Sequence, residues 1–343
     1  MKKMLKKIFT FALVSLCMTA VGGEKYSVLV FGDTHYDSQD VRVETKLTRN
    51  KKLELARNLE IWKTNMPLLI KAAAEKGNTS ADFAVQLGDL TQGDCGAREL
   101  QEKSFRNVLE IFQKELKIPF YTIKGNHDIR GKGAHAAFDA VMLPYMSQVL
   151  KQPIPKNRKA NFAVMHKGDL YIYFDCMKPD VNFVYKAFEK YPDARYTFLL
   201  THIPVLPAHN AAGLVPDEAE RPEFLKALAK RKAIVLCAHV HITTMIRCEM
   251  EEGDIVQFVS YSLPRDLYQE YTVIEGSIFD LHRKLDKPDK LAPLKPFFES
   301  RLKDFVYHRY GGGFNMLNIS DEGVFCDLYT GDMKAPFKTI KLR

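Results

Sequence analysis

The sequence has few cysteines and little excess charge of one sign. Its six cysteines form no CxxC pair and have no regular spacing, so no disulfide framework can be inferred from them. The first 23 residues hold four of the 50 lysines and arginines, which leaves 46 basic against 42 acidic residues in the rest of the chain. This near balance argues against a nucleic-acid-binding protein, and no nucleic-acid partner is expected.

Long apolar runs are also missing. The apolar stretch from Ile8 to Val21 has about 14 residues, fewer than the roughly 20 that a membrane-spanning helix needs. It follows a basic segment and ends in a small-residue cleavage pattern, so residues 1–22 are predicted to be a secretory signal peptide. We expect a secreted or periplasmic protein without a stable membrane span after cleavage. A lipoprotein anchor at Cys17 is the less favoured alternative, because Leu16 stands where a small residue is needed.

Neither internal repeats nor clean linkers interrupt the chain. Its 343 residues, 46% apolar and 27% charged, are enough to bury a large core. We therefore predict a single domain over residues 24–343. Residues 130–160 and 278–305 are expected to be peripheral insertions, because both are rich in charge and interrupted by glycine or proline.

The hydrophobic pattern predicts an α/β protein. In the first half, strands that read as buried on both faces alternate with amphipathic helices, which indicates a parallel sheet with right-handed crossovers. These elements are expected at residues 24–31, 49–76, 82–87, 99–116 and 118–123. A second sheet is expected to begin with a hairpin and to continue through two strands around a helix, at residues 161–165, 170–175, 196–201, 222–231 and 233–238. Helical stretches are expected within 281–305, and a closing hairpin of 314–319 and 324–330 is expected to complete the second sheet.

Five of the predicted strands end in side chains that can bind a metal ion. The central stretch is Lys124-Gly125-Asn126-His127-Asp128, where a glycine allows a sharp turn away from the sheet. The others are Gly32-Asp33-Thr34-His35, Gly88-Asp89, Thr201-His202 and Ala238-His239-Val240-His241. Strand ends of α/β sheets meet at one edge, so these side chains are expected to converge. Because residues i and i+2 of an extended strand project to the same side, each D-x-H or H-x-H pair is expected to face one site.

The candidate ligands are oxygen and imidazole donors, without a thiolate among them: Asp33, His35, Asp89, Asn126, His202, His239 and His241. Such mixed sites suit Zn²⁺, Mn²⁺ or iron, whereas Mg²⁺ and Ca²⁺ prefer oxygen ligands. Seven ligands are too many for one tetrahedral ion, but they suit two ions roughly 3.5–4 Å apart when one carboxylate bridges them. The predicted cofactors are therefore two divalent or trivalent transition-metal ions: manganese, iron or zinc.

In type and order, the motifs resemble those of the calcineurin-like metallophosphoesterase superfamily, whose pattern is D-x-H, G-D, G-N-H-D, H and G-H-x-H. The resemblance spans residues 30–241, and the turns after Gly125 and Thr201 are similar to the cyclic-nucleotide phosphodiesterase and metallophosphatase branch. It implies a four-layer α/β/β/α sandwich with two mixed sheets. It also implies that Asp89 bridges two ions, the first held by Asp33, His35 and His241 and the second by Asn126, His202 and His239.

The sequence departs from the family pattern at two positions. Ala238 stands where a glycine usually precedes the H-x-H pair, a small change that the fold is expected to tolerate. Gln92 stands three residues beyond Asp89, where many relatives carry an acid or asparagine and purple acid phosphatases carry a ligating tyrosine. A carboxylate that orients His127 must then come from elsewhere, and Asp94 and Asp128 are the candidates.

The expected function is hydrolysis of a small phosphate ester, either a monoester or a diester. A hydroxide shared by two cations would attack phosphorus, and His127 would stabilise the five-coordinate phosphorus or protonate the leaving alkoxide. Arg130 and His209 are candidate substrate contacts, with a surface ion pair and simple exposure as their respective alternatives. The alternative functions are a catalytically silent binding protein of the same fold and an extracellular nuclease.

Overall fold

The computed structural model describes residues 23–43, 47–207, 214–262, 273–275, 295–308 and 312–343. The predicted signal peptide and His209 lie outside these residues. Among the described helices, none has both the length and the hydropathy of a membrane span. The elements, in chain order, are β1 (Tyr26–Phe31), α1 (Arg49–Lys63), α2 (Asn65–Ser80), β2 (Phe83–Gln86), α3 (Arg98–Glu115), β3 (Phe120–Thr122), α4 (Ala134–Val149), β4 (Phe162–His166), β5 (Asp169–Tyr173), α5 (Val181–Lys190), β6 (Thr197–Leu200), α6 (Arg221–Lys230), β7 (Ile234–Cys237), β8 (Thr243–Met250), β9 (Gly253–Val259), β10 (Val273–Glu275), α7 (Lys295–Arg301), β11 (Leu302–His308), β12 (Gly313–Ser320), β13 (Gly323–Thr330) and β14 (Lys338–Lys341).

Two mixed sheets form the centre of the protein. The first has six strands in the order β14-β13-β12-β1-β2-β3, and β1, β2 and β3 are parallel. The second has eight strands in the order β10-β11-β8-β9-β7-β6-β5-β4, with β5, β6, β7 and β9 parallel. The remaining neighbours in both sheets run antiparallel. The predicted pair of mixed sheets is therefore confirmed.

The second sheet separates two hydrophobic cores. Tyr171 and Tyr173 of β5 belong to the core that the second sheet shares with the first sheet and α2, α3 and α4. Leu170 and Ile172 of the same strand belong to a second core with α5, α6 and α7. This alternation follows from the two-residue period of a strand, and both faces are apolar because both are covered. The layers are helix, sheet, sheet and helix, as predicted.

The predicted single helix over residues 49–76 is two helices. α1 ends at Lys63 and α2 begins at Asn65, with Thr64 between them. Pro67 lies in the first turn of α2, where its missing N–H needs no helical partner. In a continuous helix the same proline would leave the carbonyl of Lys63 without its donor, so the break falls just before it.

The closing hairpin joins the first sheet, so the prediction that it completes the second sheet is wrong. β12 pairs antiparallel with β1, and Tyr26 lies opposite Ile319. Turn residues and alternation specify a hairpin and its register, but they do not specify which sheet edge it will extend. The edge of β1 opposite β2 is the one that the hairpin covers.

Among the strands that instead extend the second sheet, β8 and β11 were not predicted from the pattern. β8 forms a hairpin with β9, and β11 pairs with β8. Helix α7 lies in the segment where helical stretches were predicted, but residues 302–308 continue from it as β11. Phe305 and Tyr307 of β11 pack in the core beside α5 and α6. Residues 302–305, at the end of the predicted insertion over 278–305, are thus part of the second sheet.

Candidate metal centre

The predicted donors gather between the two sheets. Each follows a strand: Asp33 and His35 follow β1, Asp89 follows β2, Asn126 follows β3, His202 follows β6, and His239 and His241 follow β7. The N–H of Gly32 donates to the carbonyl of Tyr261 at 2.9 Å, so the end of β1 contacts the chain just beyond β9. Asp33, His35, Asp89 and His202 are buried, and the other donors are half-buried.

The backbone at these donors is not extended, which contradicts the reason given for the D-x-H and H-x-H spacing. Asp33 and His35 have φ of 46° and 45°, and His239 and His241 have φ of 70° and 55°. Asp89 is also left-handed, with φ of 53°. Such conformations cost on the order of 1 kcal/mol or more for residues other than glycine. The spacing still brings each pair to one site, but with left-handed backbone at both donors of the pair.

One group of donors consists of Asp33, His35 and His241, whose ligand atoms all lie within 4.8 Å of one another. The rings of His35 and His241 stack with centroids 5.1 Å apart. Both nitrogens of His35 are buried without a hydrogen-bond partner. Burial lowers the pKa of His35 to about 3, so the imidazole is neutral at physiological pH. A neutral, buried imidazole without a hydrogen-bond partner fits a metal ligand, because a bound cation would satisfy its free lone pair.

The second group consists of Asp89, His202 and His239. His202 Nε2 is 3.1 Å from Asp89 Oδ2 and 3.1 Å from Asn126 Oδ1, and His239 Nδ1 is 3.3 Å from the same nitrogen. The opposite nitrogen of His202 donates to the carbonyl of Leu87 at 2.8 Å, which orients the ring. Partners on the far nitrogen of this kind are typical of metal-binding histidines.

Electrostatics indicates that a positive charge belongs in this second group. Burial alone would lower the pKa of His202, but the Asp89 carboxylate outweighs burial and raises the pKa to about 9. Burial would likewise raise the pKa of Asp89, yet the neighbouring His202 holds it well below its usual value. A proton on His202 thus neutralises Asp89 where a cation would otherwise do so.

Asp89 is common to both sides of the site. Its Oδ2 is 3.1 Å from His202 Nε2 and 3.9 Å from His35 Nε2, while its Oδ1 accepts the N–H of His127 at 2.7 Å. The approach of the neighbouring loop is so close that a Cβ on Gly125 would lie 2.1 Å from the Asp89 nitrogen. The glycine is therefore required by this contact as well as by the turn. The residues present fit two cations that share one carboxylate.

His127 lies beside this cluster, and neither predicted carboxylate is its hydrogen-bond partner. Its Nδ1 donates to the backbone carbonyl of Gln92 at 3.0 Å, and Arg130 Nη1 donates to its Nε2 at 3.1 Å. Asp128 accepts the N–H groups of Thr91 and Gly125 and so fixes the loop. The side chain at position 92 is thus dispensable for orienting the imidazole, because the main chain does it.

Arg130 contacts His127 and also belongs to an ion-pair network. Its Nε lies 2.7 Å from Asp94 Oδ2, which Lys51 also approaches at 2.9 Å, and its Nη2 lies 3.8 Å from Glu54 Oε2. Asp94 therefore reaches His127 only through the guanidinium. The predicted alternative of an ion pair is present, and contact of Arg130 with substrate stays a prediction.

The contact of Ser262 with the donors was not predicted from the sequence, whereas tolerance of Ala238 was predicted and the structure gives its reason. Ser262 Oγ lies 2.9 Å from Asp33 Oδ2 and 2.8 Å from His241 Nδ1. No motif marks this serine, which follows β9 and lies 21 residues beyond His241 and 229 beyond Asp33. Ala238, in place of the usual glycine, lies where a Cβ on Gly32 would be only 2.6 Å from the alanine methyl. The fold tolerates the alanine because Gly32 leaves room for it.

The sequence matches the family model of calcineurin-like phosphoesterases over residues 26–243, more than half of the chain, and the protein belongs to this family. Membership in this family implies a dinuclear metal centre and supports the activity of a metal-dependent phosphoesterase. The five described cysteines, all buried and free, take no part in the candidate site. No protein of curated function matches the sequence.

Solved structures share the fold at low sequence identity. A purple acid phosphatase from yellow lupin (Lupinus luteus) matches with a TM-score of 0.57 at 12% identity, covering 93% of this chain and 54% of the lupin chain. A dimetal phosphatase from Danio rerio matches with a TM-score of 0.55 at 10% identity, covering 93% and 99% of the two chains. GAP50, described as the anchor in the inner membrane complex of Plasmodium, has a TM-score of 0.51 at 12% identity, with 93% and 89% coverage. This chain spans about half of the lupin protein, and these likenesses concern the fold alone.

Proposed function

We propose that the protein hydrolyses small phosphate esters with two transition-metal ions, outside the cytoplasm. The observation that carries the proposal is the convergence of two donor groups on the shared carboxylate of Asp89, together with the partnerless nitrogens of His35. In this proposal Asp33, His35 and His241 hold the first ion, and Asn126, His202 and His239 hold the second. The mixed nitrogen and oxygen donors favour manganese, iron or zinc.

Two bound cations supply charge that offsets the negative phosphate and lowers the pKa of coordinated water toward neutrality. The chain supplies the geometry. Asp89 links the loop after β3 to the donor after β6, because its Oδ1 accepts the N–H of His127 and its Oδ2 lies 3.1 Å from His202 Nε2. Asp33, Asp89 and His202 are buried, and charges in such surroundings interact more strongly with a phosphate than they would in water.

His127 and Arg130 form the proposed contact with the substrate's phosphate. Burial lowers the pKa of His127, so the ring is neutral, and its Nε2 accepts from Arg130 rather than carrying a proton. This arrangement favours stabilisation of charge on phosphate oxygens by the pair over proton donation to the leaving group. The N–H groups of the guanidinium would turn from Nε2 to a phosphate oxygen when substrate binds.

Replacing His127 with alanine is expected to lower kcat by about 10²-fold, since removal of one aligned group at a charged transition state costs that much. The bound metal should stay at two ions per chain, because both donor groups of the proposal are intact without His127. Kinetics and elemental analysis of the same samples measure both quantities.

The exposed His135 on α4 is the matched control, and His135→Ala should change neither quantity. Loss of one ion in His127→Ala would contradict the assignment, because a ligand role for His127 is geometrically available: its nitrogen lies within 4.8 Å of the ligand atoms of His35 and Asp89.

The substrate class is tested by the rates on two chromogenic esters, p-nitrophenyl phosphate and bis(p-nitrophenyl) phosphate. The proposal expects metal-dependent hydrolysis of at least one, and the ratio of the two kcat/KM values assigns the enzyme to monoesters or diesters. We favour nutrient or cell-envelope phosphate esters as natural substrates, which agrees with the predicted signal peptide. Binding of two ions without hydrolysis of either ester would instead favour a catalytically silent binding protein of the same fold.

A further inference from the structure

Ser262 contacts two donors of the first group, Asp33 and His241, from outside the residues that match the family. The match ends at residue 243, whereas Ser262 follows β9 and forms a parallel bridge with Gly32 beyond β1. Its side chain is buried, and its Oγ contacts Asp33 Oδ2 at 2.9 Å and His241 Nδ1 at 2.8 Å. One hydroxyl therefore joins a carboxylate that follows the first sheet to an imidazole that follows the second.

The donors and acceptors at Ser262 determine which nitrogen of His241 carries the proton. A hydroxyl has one proton to donate, and an ionised carboxylate can only accept. The Ser262 O–H must therefore donate to Asp33, since otherwise two acceptors would face each other at 2.9 Å. The contact at 2.8 Å is then satisfied only when His241 Nδ1–H donates to Ser262 Oγ. His241 Nε2 consequently carries a free lone pair.

The same contact also orients Asp33. Its Oδ2 accepts from Ser262, and the backbone N–H of His239 lies 3.2 Å from both carboxylate oxygens. Among the described residues, no side chain donates to Oδ1, which lies 4.0 Å from His35 Nε2. Two of the three donors of the first group therefore depend on one serine for their orientation.

We propose that Ser262 is a positioning residue for the first ion. It fixes the Nδ1–H tautomer of His241 and orients Asp33 so that its Oδ1 faces His35. This inference rests on the proposed function only in naming the ligand as a transition-metal cation. Partners of this kind on a ligating histidine typically change metal affinity by about 10–100-fold when they are removed.

Ser260 separates this role from a purely structural one. It lies two residues earlier, is equally buried, and donates to Asn315 Oδ1 at 2.8 Å, which also joins the two sheets. Its hydroxyl contacts none of the proposed ligands among the hydrogen bonds of the described residues. If inter-sheet contact alone mattered, Ser260→Ala and Ser262→Ala should have the same effects.

The first test reads the tautomer in metal-free protein, where no activity is needed. Long-range ¹H–¹⁵N NMR of the imidazoles, with the His241 signals assigned by their loss in His241→Asn, should show the Nδ1–H form in wild type and Ser260→Ala. In Ser262→Ala the Nε2–H form should appear, and Ser262→Thr, which keeps the hydroxyl, should restore the Nδ1–H form. A wild-type His241 in the Nε2–H form would overturn the proposal.

The second test titrates the metal-free proteins with Mn²⁺ and follows two-site binding by calorimetry. Ser262→Ala should weaken one of the two sites by about 10–100-fold and leave the other unchanged, while Ser260→Ala should retain both affinities. Equal weakening of both sites, or no change, would refute the role for Ser262. The expected tautomer without any Mn²⁺ binding would refute the proposed function and the metal role of Ser262, but not its hold on His241.

Discussion

Asp89→Asn is expected to lower phosphate-ester hydrolysis by about 10³-fold or more and to reduce bound metal below two ions per chain. Asp89 is the carboxylate that lies within reach of both donor groups, 3.1 Å from His202 and 3.9 Å from His35. An amide has nearly the same shape but lacks the charge, and its NH₂ end cannot accept a hydrogen bond or bind a cation. Charge stabilisation by metal ions contributes several kcal/mol, and each 1.4 kcal/mol is about tenfold in rate.

The matched control for this substitution is Asp139→Asn on α4, whose carboxylate pairs with Arg158 at 3.2 Å away from the site. It should retain activity and both ions, because an exposed pair of this kind contributes little. Circular dichroism of Asp89→Asn should match that of wild type, since the substitution keeps the side-chain volume. A folded Asp89→Asn protein with two bound ions and normal turnover would show that Asp89 does not bridge.

Removal of metal with a chelator is expected to abolish activity and to lower the thermal midpoint of unfolding. Cations that bind only the folded state stabilise it by about 2.7 kcal/mol for each independent site when their free concentration is a hundred times the dissociation constant. For a domain of this size the loss corresponds to a fall in midpoint of roughly 5 °C or more. Enzyme assays and thermal unfolding of the same chelated samples measure both changes.

Adding back one metal at a time distinguishes binding at the proposed nitrogen and oxygen donors from nonspecific ion binding. Mn²⁺, Zn²⁺ or Fe²⁺ should restore both the rate and the midpoint, whereas Ca²⁺ should restore neither, because it prefers oxygen ligands and four of the proposed ligands are histidines. His35 and His239 are already neutral near pH 7, since burial lowers their pKa values to about 3 and about 4. A chelated protein with unchanged rate and midpoint would refute a metal-dependent function.

The candidate site was predictable because its residues are grouped into short motifs. Each motif follows an apolar strand, and parallel strands of one sheet place their carboxyl ends at one edge, so convergence of Asp33, Asp89 and Asn126 after β1, β2 and β3 required no knowledge of loop geometry. The α/β class could be predicted for the same reason, since strands covered on both faces read as continuous apolar runs, whereas the four-layer sandwich was implied by the resemblance to the family. These are local properties of the chain.

Other features depended on contacts between distant segments. The closing hairpin could have extended either sheet, because β12 and β13 carry the same alternation in both cases. The partner of His127 is the main-chain carbonyl of Gln92, which no side-chain pattern can reveal. Ser262 lies beside Asp33 and His241 only because the chain beyond β9 meets the end of β1.

By itself the sequence determined which side chains are available for chemistry and the strands from which they emerge, since hydrophobic period and motif order are written along the chain. Only the tertiary structure decided how those side chains are aimed. Asp33, His35, His239 and His241 adopt left-handed backbone conformations, where the sequence predicted extended ones. Such conformations are unfavourable for an isolated segment and persist only where packing and hydrogen bonds from the rest of the fold compensate for them.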